Sequence, residues 1–227
     1  MGQRARGFFV TGTDTAVGKT LIACALLHAF AATGRSVLGM KPVAAGREKG
    51  RCHDVTALMA ASSVGAPEAL VNPYAFDPAI APHIAASQAG LSIRIETITS
   101  AYAELSSLAD VVVVEGAGGY MIPLNAHDTS ADLALALALP VVLVVGMRLG
   151  CLNHALLTRR AIAANGLACA GWVANCLEPE MPSLAENIAA LEQRLAAPLL
   201  GSVAFRRGVT AREVAPLLSI APMIESP

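Results

Sequence analysis

Val10-Thr11-Gly12-Thr13-Asp14-Thr15-Ala16-Val17-Gly18-Lys19-Thr20 is the stretch that decides the fold. Phe8, Phe9 and Val10 read as the end of a buried strand, Gly12 opens a tight loop, and Gly18-Lys19-Thr20 leads into an apolar helical stretch from Leu21 to Phe30. Strand, glycine-framed loop and helix in that order outline a phosphate-binding loop. Its backbone N–H groups turn inward toward phosphate oxygens, and the start of the helix adds a positive dipole end. Ala16, Val17, Gly18, Lys19, Thr20 and Leu21 are the expected nucleotide-binding residues, with Lys19 reaching the terminal phosphates and the Thr20 hydroxyl placed on Mg²⁺. Five residues, Thr13 to Val17, separate the framing glycines, where the common G-x-x-x-x-G-K-[ST] pattern has four, so the match is to a variant loop.

Working outward, the 227 residues fit one domain, and 55% hydrophobic against 15% charged residues is ample material for a core. A formal net charge of -1 and the lack of a basic stretch argue against nucleic acid and toward a small anionic ligand. Gln3-Arg4-Ala5-Arg6 is basic, but too few apolar residues follow it for a signal peptide, and Arg6 stands where myristoylation needs Ser or Thr. The longest apolar run, Leu133 to Gly146, is broken by Pro140 and falls short of the ~20 residues of a membrane span. The expectation is a soluble, cytoplasmic protein. Cys24, Cys52, Cys151, Cys169 and Cys176 form no C-x-x-C pair, which points to reduced thiols, and the scattered histidines give no zinc spacing.

Further along, Gly34 and Arg35 mark a turn, and Ser36 to Val43 reads as a second strand whose regular pairing stops at Pro42, leaving Lys41 at its carboxyl end. Arg47 to His53 reads as loop and Asp54 to Ala61 as helix. Asn72 to Ala89, with Pro73, Pro78 and Pro82, is an ordered connection with short structured pieces. Ile93 to Leu108 has helical spacing, with Ile95, Ile98, Tyr102 and Leu105 on one side. The four valines before Glu115 indicate a central strand covered on both faces. Pro140 to Val145, Ala168 to Asn175 and Pro198 to Val203 read as further strands. Gly146 to Leu152 reads as loop, with helices over Asn153 to Ala164, Ser183 to Leu195 and near Thr210 to Leu218. Strand and helix alternate almost throughout, which predicts a single-domain α/β fold with a mostly parallel sheet and helices on both faces.

Ligands of such sheets collect outside the carboxyl ends of the strands. Thr11 to Thr20, Lys41, Glu115 with its glycines, Gly146 to Asn153 and Asn175 are therefore expected to face one crevice. Glu115 ends a rigid strand and precedes Gly116-Ala117-Gly118-Gly119, a backbone that a ligand can approach closely, so its carboxylate suits Mg²⁺. Asp54 is a second metal candidate, although an aspartate before a helix is equally a cap. Lys41 reads either as a surface charge or as a second cation at a transferring phosphoryl group, where positioning and charge neutralisation do most of the catalysis. Asn175 can pair with an adenine edge, and Cys176 and Glu178 replace the lysine and aspartate of guanine-reading loops, which favours ATP. Asn153 reads first as a helix cap; the free N–H groups at that helix start would also suit a substrate carboxylate.

The chain resembles the ATP-dependent dethiobiotin synthetases. G-T-D-T-x-V-G-K-T (Gly12 to Thr20), K-P-V-A-x-G (Lys41 to Gly46), N-P-Y (Asn72 to Tyr74) and P-H-I (Pro82 to Ile84) carry the resemblance in the first half. V-E-G-A-G-G (Val114 to Gly119), G-C-L-N-H (Gly150 to His154) and G-W-V-A-N (Gly171 to Asn175) carry it in the second, and the five-residue loop belongs to the same pattern. It implies an ATP- and Mg²⁺-dependent ligase that joins 7,8-diaminononanoate and CO₂ into a cyclic urea through a carbamate and a carbamic-phosphoric anhydride. By resemblance Lys19, Lys41 and Thr15 act on the reacting groups, and Thr20, Asp54 and Glu115 form the metal shell. Glu115, Gly116, Ala117, Gly118, Asn175, Cys176, Val203, Ala204 and Phe205 join the loop in holding the nucleotide. Ala45, Gly150, Cys151, Leu152 and Asn153 face the substrate, the last four across the interface of a homodimer.

Two positions depart from the family pattern. Ala16 stands in place of a glutamate and Ala45 in place of a serine, and the lost hydroxyl removes one hydrogen bond, typically ~1 kcal/mol net. Two rival readings share the fold: a nucleotide switch of the partitioning type, and another ATP-dependent amide- or ring-forming enzyme. The switches carry a signature lysine at the place of Asp14.

Overall fold

A computed structural model describes residues 6–47 and 50–225; the basic residues 3–5 and part of the loop between Arg47 and His53 lie outside them. The first half of the chain runs β1 (Arg6–Gly12), α1 (Lys19–Ala31), β2 (Val37–Met40), β3 (Val43–Ala45), α2 (His53–Ala61), α3 (Glu68–Val71), β4 (Tyr74–Phe76), α4 (Pro82–Gln88) and α5 (Ile95–Leu105). The second half runs β5 (Val111–Gly119), α6 (Ser130–Leu137), β6 (Val141–Met147), α7 (Cys151–Ala164), β7 (Cys169–Cys176), α8 (Leu184–Leu195), β8 (Leu199–Val203), α9 (Ala211–Val214) and α10 (Ala221–Glu225). Six strands form one sheet in the order β2-β5-β1-β6-β7-β8, every neighbouring pair parallel.

The sheet is covered on both faces, as the unbroken valines require. Phe8, Val10, Val111, Val113, Val142 and Val144 point to one face, where α1, α2 and the C-terminal helices pack, and Phe8 stacks on Phe30 with ring centroids 5.4 Å apart. Phe9, Val112 and Val114 point to the other, beneath α5 and α6, while Leu143, Val145 and Trp172 meet α7 and α8 farther along. Alternate residues of each strand thus serve two cores, the period-2 consequence of the pleat.

Four expectations are corrected. The second strand ends at Met40, and Val43–Ala45 leaves the main sheet to pair in parallel with Tyr74–Phe76, because Pro42 interrupts the ladder. The glycines after Glu115 continue β5 to Gly119 instead of forming a loop past it. Ser130–Leu137, which runs into the start of the apolar stretch, is a helix that the alternation did not reveal; Asp132 accepts from the Thr129 N–H and hydroxyl at 2.7 Å each and completes a capping box. Asn153 is not a cap: α7 starts at Cys151 on Gly150, whose φ of 94° suits glycine, and Asn153 lies within the first turn.

Candidate active site

The phosphate loop hangs between β1 and α1 at the middle of the sheet. Its first part is tied to β6, with the Thr13 N–H donating to the Val144 carbonyl at 3.0 Å. Asp14 bonds the Thr15 N–H through its carboxylate at 2.7 Å, forms an ion pair with Arg148, and through its carbonyl accepts the Lys19 ammonium at 2.8 Å. Ala16 has a φ of 57°, a left-handed conformation unusual for a residue with a Cβ, and Gly18 follows at 89°. These turns leave Thr15 and Ala16 exposed at the mouth while Val17 is buried underneath. Leu21 packs its side chain against the core, so its share in a nucleotide site is limited to its backbone.

Lys41, Asp54 and Glu115 meet beside this loop. Lys41, 4% exposed, donates to Glu115 Oε1 at 2.6 Å and to the Gly116 carbonyl at 3.2 Å, and its ammonium lies 3.0 Å from Asp54 Oδ2. The Thr20 hydroxyl donates to the same Glu115 oxygen at 2.9 Å. Burial pulls the Lys41 ammonium toward neutrality, but Glu115 and Asp54 outweigh it and hold its pKa above the ordinary lysine value. Burial also opposes the charge of Asp54, yet Lys41 and the Thr20 hydroxyl bring its pKa below the usual carboxylate range. Lys19 has no carboxylate so close among the described residues: burial first, and the charge of Lys41 second, lower it from 10.5 to about 8.

Glu115 Oε2 is buried and has no hydrogen-bond partner among the described residues. An orphaned carboxylate oxygen is costly unless something positive joins it, and with the Thr20 hydroxyl and the Asp54 carboxylate nearby the donor set is the hard-oxygen kind that Mg²⁺ takes in company with phosphate. A Cβ at Gly116 beside it would stand 3.1 Å from the Phe9 ring, so a larger residue there requires the ring to give by a few tenths of an ångström.

A cavity of about 720 Å³ opens over these groups. Thr15, Ala16, Gly18, Lys19, Thr20, Lys41, Asp54, Glu115, Ala117 and Gly118 line it. The rest of the lining is apolar: Ala45, which the family resemblance pointed to, with Val43, Ala44, the Ala79 to Pro82 turn and Ile122, which the sequence did not single out. The bracketing prolines Pro78 and Pro82 were the available signal for that turn.

Two groups expected in the same crevice do not line it. Leu149 and Gly150 turn into solvent after β6, and within one chain Gly150, Cys151, Leu152 and Asn153 stay away from the cavity; Cys151 is buried against α8 and Asn153 is exposed. Asn175 is buried beneath the loop, where its amide donates to the Val17 carbonyl at 2.8 Å. It sits at the ends of β7 and β8 with Cys176, buried Val203 and the exposed Ala204 and Phe205, its amide close against Gly18.

Among solved structures the fold is similar to the septum site-determining protein MinD of Pyrococcus horikoshii in complex with Mg-ADP, at a TM-score of 0.56 and 14% identity over 98% of this chain and 90% of that one. It is also similar to a ParA-family ATPase of Chlorobium tepidum, at 0.53 and 13% over 97% and 94%. At such identities the likeness concerns the fold alone. A family model described as an AAA domain matches residues 6–213. Fold and loop together define a P-loop nucleotide-binding protein. The chain is 57% identical to an ATP-dependent dethiobiotin synthetase of Nitrosospira multiformis over 95% of its length and 96% of the relative's, and 50% identical to that of Aromatoleum aromaticum over 95% and 97%. It belongs to the ATP-dependent dethiobiotin synthetases, ligases of biotin biosynthesis.

Proposed function

We propose that the chain closes a cyclic urea from 7,8-diaminononanoate and CO₂ at the expense of ATP, releasing dethiobiotin, ADP and phosphate. The observation that carries this reading is a cavity whose lining divides between the charged groups Lys19, Lys41 and Glu115 and a set of aliphatic side chains, Val43 to Ala45, Ala79 to Pro82 and Ile122. A diamine with a long methylene chain matches that division. One substrate nitrogen attacks CO₂ and loses a proton, giving a carbamate. A carbamate oxygen attacks the terminal phosphorus of ATP and expels ADP; the second amine then attacks the carbamoyl carbon, loses a proton and expels phosphate.

In this reading Lys19 neutralises the terminal phosphates, and Lys41, fixed by its two carboxylates, holds the carbamate oxygen toward them. Thr15 at the exposed mouth orients the transferred group, and no covalent enzyme intermediate is needed. Thr20, Asp54 and Glu115 would hold Mg²⁺, which supplies charge neutralisation on the phosphates when bound. Asn175, Cys176, Val203, Ala204 and Phe205 receive the base, the Asn175 side chain serving both the loop and the adenine edge. The protein acts as a homodimer in which Gly150 to Asn153 of one subunit take the substrate carboxylate of the other. Support for that comes from Leu149, 99% exposed beside the start of α7, which no side chain among the described residues caps. The five free cysteines suit a cytoplasmic enzyme.

Incubation with 7,8-diaminononanoate, ¹³C-bicarbonate and ATP is expected to place the label in the ureido carbon of the product, with one ADP formed per ring. ADP release without labelled ring would overturn the assignment.

A further inference from the structure

Lys41 stands one residue beyond β2, where the main sheet no longer supports its backbone: the β2–β5 ladder ends at Met40 opposite Val114, and Pro42 has no N–H to offer. The main chain of Lys41 is held instead by the turn after α3. Its N–H donates to the Val71 carbonyl at 2.8 Å, and its carbonyl accepts the Asn72 side-chain amide at 2.6 Å. The same amide nitrogen donates to the Tyr74 carbonyl at 3.0 Å, while the Tyr74 N–H closes the circuit on the Pro42 carbonyl at 3.1 Å. Asn72 is 8% exposed. One carboxamide therefore joins the backbone of Lys41 to the first residue of β4, whose partner β3 carries Ala44 and Ala45 in the cavity wall.

We propose that Asn72 is a positioning residue for ring closure, its two amide hydrogens fixing where the Lys41 ammonium and the apolar wall stand relative to each other. A buried carbonyl pair needs donors, and only a short side chain with two hydrogens on one nitrogen meets both at this distance. An aspartate fills the same volume but turns acceptors toward acceptors. An alanine leaves both carbonyls empty yet repels neither. The inference rests on the reading of Lys41 as a group at the carbamate.

Asn72→Ala and Asn72→Asp, assayed beside Lys41→Ala, test it. ADP affinity should stay within about twofold of the parent in both Asn72 variants, because the phosphate loop is carried by β1 and α1. At saturating substrates kcat should fall about 10- to 100-fold in Asn72→Ala, the scale of a misplacement near 1 Å, with a smaller change in KM for the diamine. Asn72→Asp should be slower than Asn72→Ala although it keeps the shape. The proposal is overturned if kcat holds within twofold in Asn72→Ala, if Asn72→Asp matches or exceeds Asn72→Ala, or if ADP affinity falls in step with kcat. Full turnover in Lys41→Ala would remove the role of Lys41 and this inference with it. Loss there with intact turnover in Asn72→Ala removes the inference alone.

Discussion

At the scale of single residues, the two lysines of the site are held differently. Lys41 is locked by two carboxylates, whereas Lys19 rests on one backbone carbonyl and is lowered to about 8. A lysine depressed in the folded chain binds fewer protons there than in the unfolded one between about 8 and 10.5, so its cost to stability is felt below that window and relieved as pH rises through it. Phosphate charge reverses the depression. ADP binding in metal-free buffer is therefore expected to take up a fraction of a proton at about pH 8.5, where the ADP phosphates are already fully ionised. The measurement is the dependence of calorimetric binding enthalpy on buffer ionisation enthalpy, and Lys19→Met should erase it. Asp54 read equally as a helix cap and was raised above that only by the family resemblance; Lys19, Thr20, Lys41 and Glu115 were legible in the sequence because each falls in the loop or at a strand end, where a charged or hydroxylated residue is conspicuous. The Ala79 to Pro82 wall was not, since small apolar side chains have no chemical signature outside their packing. Asn175 was singled out for the adenine edge, but its amide bond to Val17 depends on how closely two strand ends approach, which no local pattern encodes.

At the scale of elements, α6 shows where periodicity fails. From Leu133 its residues run without a polar break through Ala134 and Leu137 into Leu139 and the valines of β6, so neither a helical nor a strand period stands out. The readable signal was the Thr129-Ser130-Ala131-Asp132 box at its start. Thr129→Ala should cost ~1 kcal/mol, a typical value for a lost cap. In a chain of this size that lowers Tm by roughly 2–4 °C in a thermal melt. The Thr129 hydrogen bonds hold the Asp132 carboxyl below its ordinary 3.8, so this contribution is present above 3.8 and disappears as Asp132 protonates at lower pH. Variant and parent should then converge in acid; a constant gap would assign the loss to packing. The start of α7 misled in the opposite way: Asn153 has the chemistry of a cap, but the left-handed backbone needed to begin the helix was available three residues earlier at Gly150.

At the scale of the whole molecule, the alternation of strands and helices gave the layered architecture, while the strand order was not read from the sequence. If the site is shared between subunits as proposed, Lys19→Ala and Asn153→Asp damage different subunits' contributions to one site. Each homodimer should be nearly inactive, and co-expression of the two should restore about a quarter of the parent activity, since half the dimers are mixed and each has one intact site. Recovery no greater than the sum of the separate variants would mean that each chain works alone. The sheet order has a consequence of its own. β1 lies between β5 and β6, and β2 touches only β5, so neither early strand finds a sheet neighbour before Val111–Gly119 exists. On the ribosome that is a wait of roughly 5–20 s for ~100 residues to be made. During it Phe8, Phe9 and Val10 have emerged with no lateral partner. The nascent polypeptide thus acquires its nucleotide cradle late, in one step, and the interval of synthesis before β5 is when it is most exposed to aggregation and to chaperone capture.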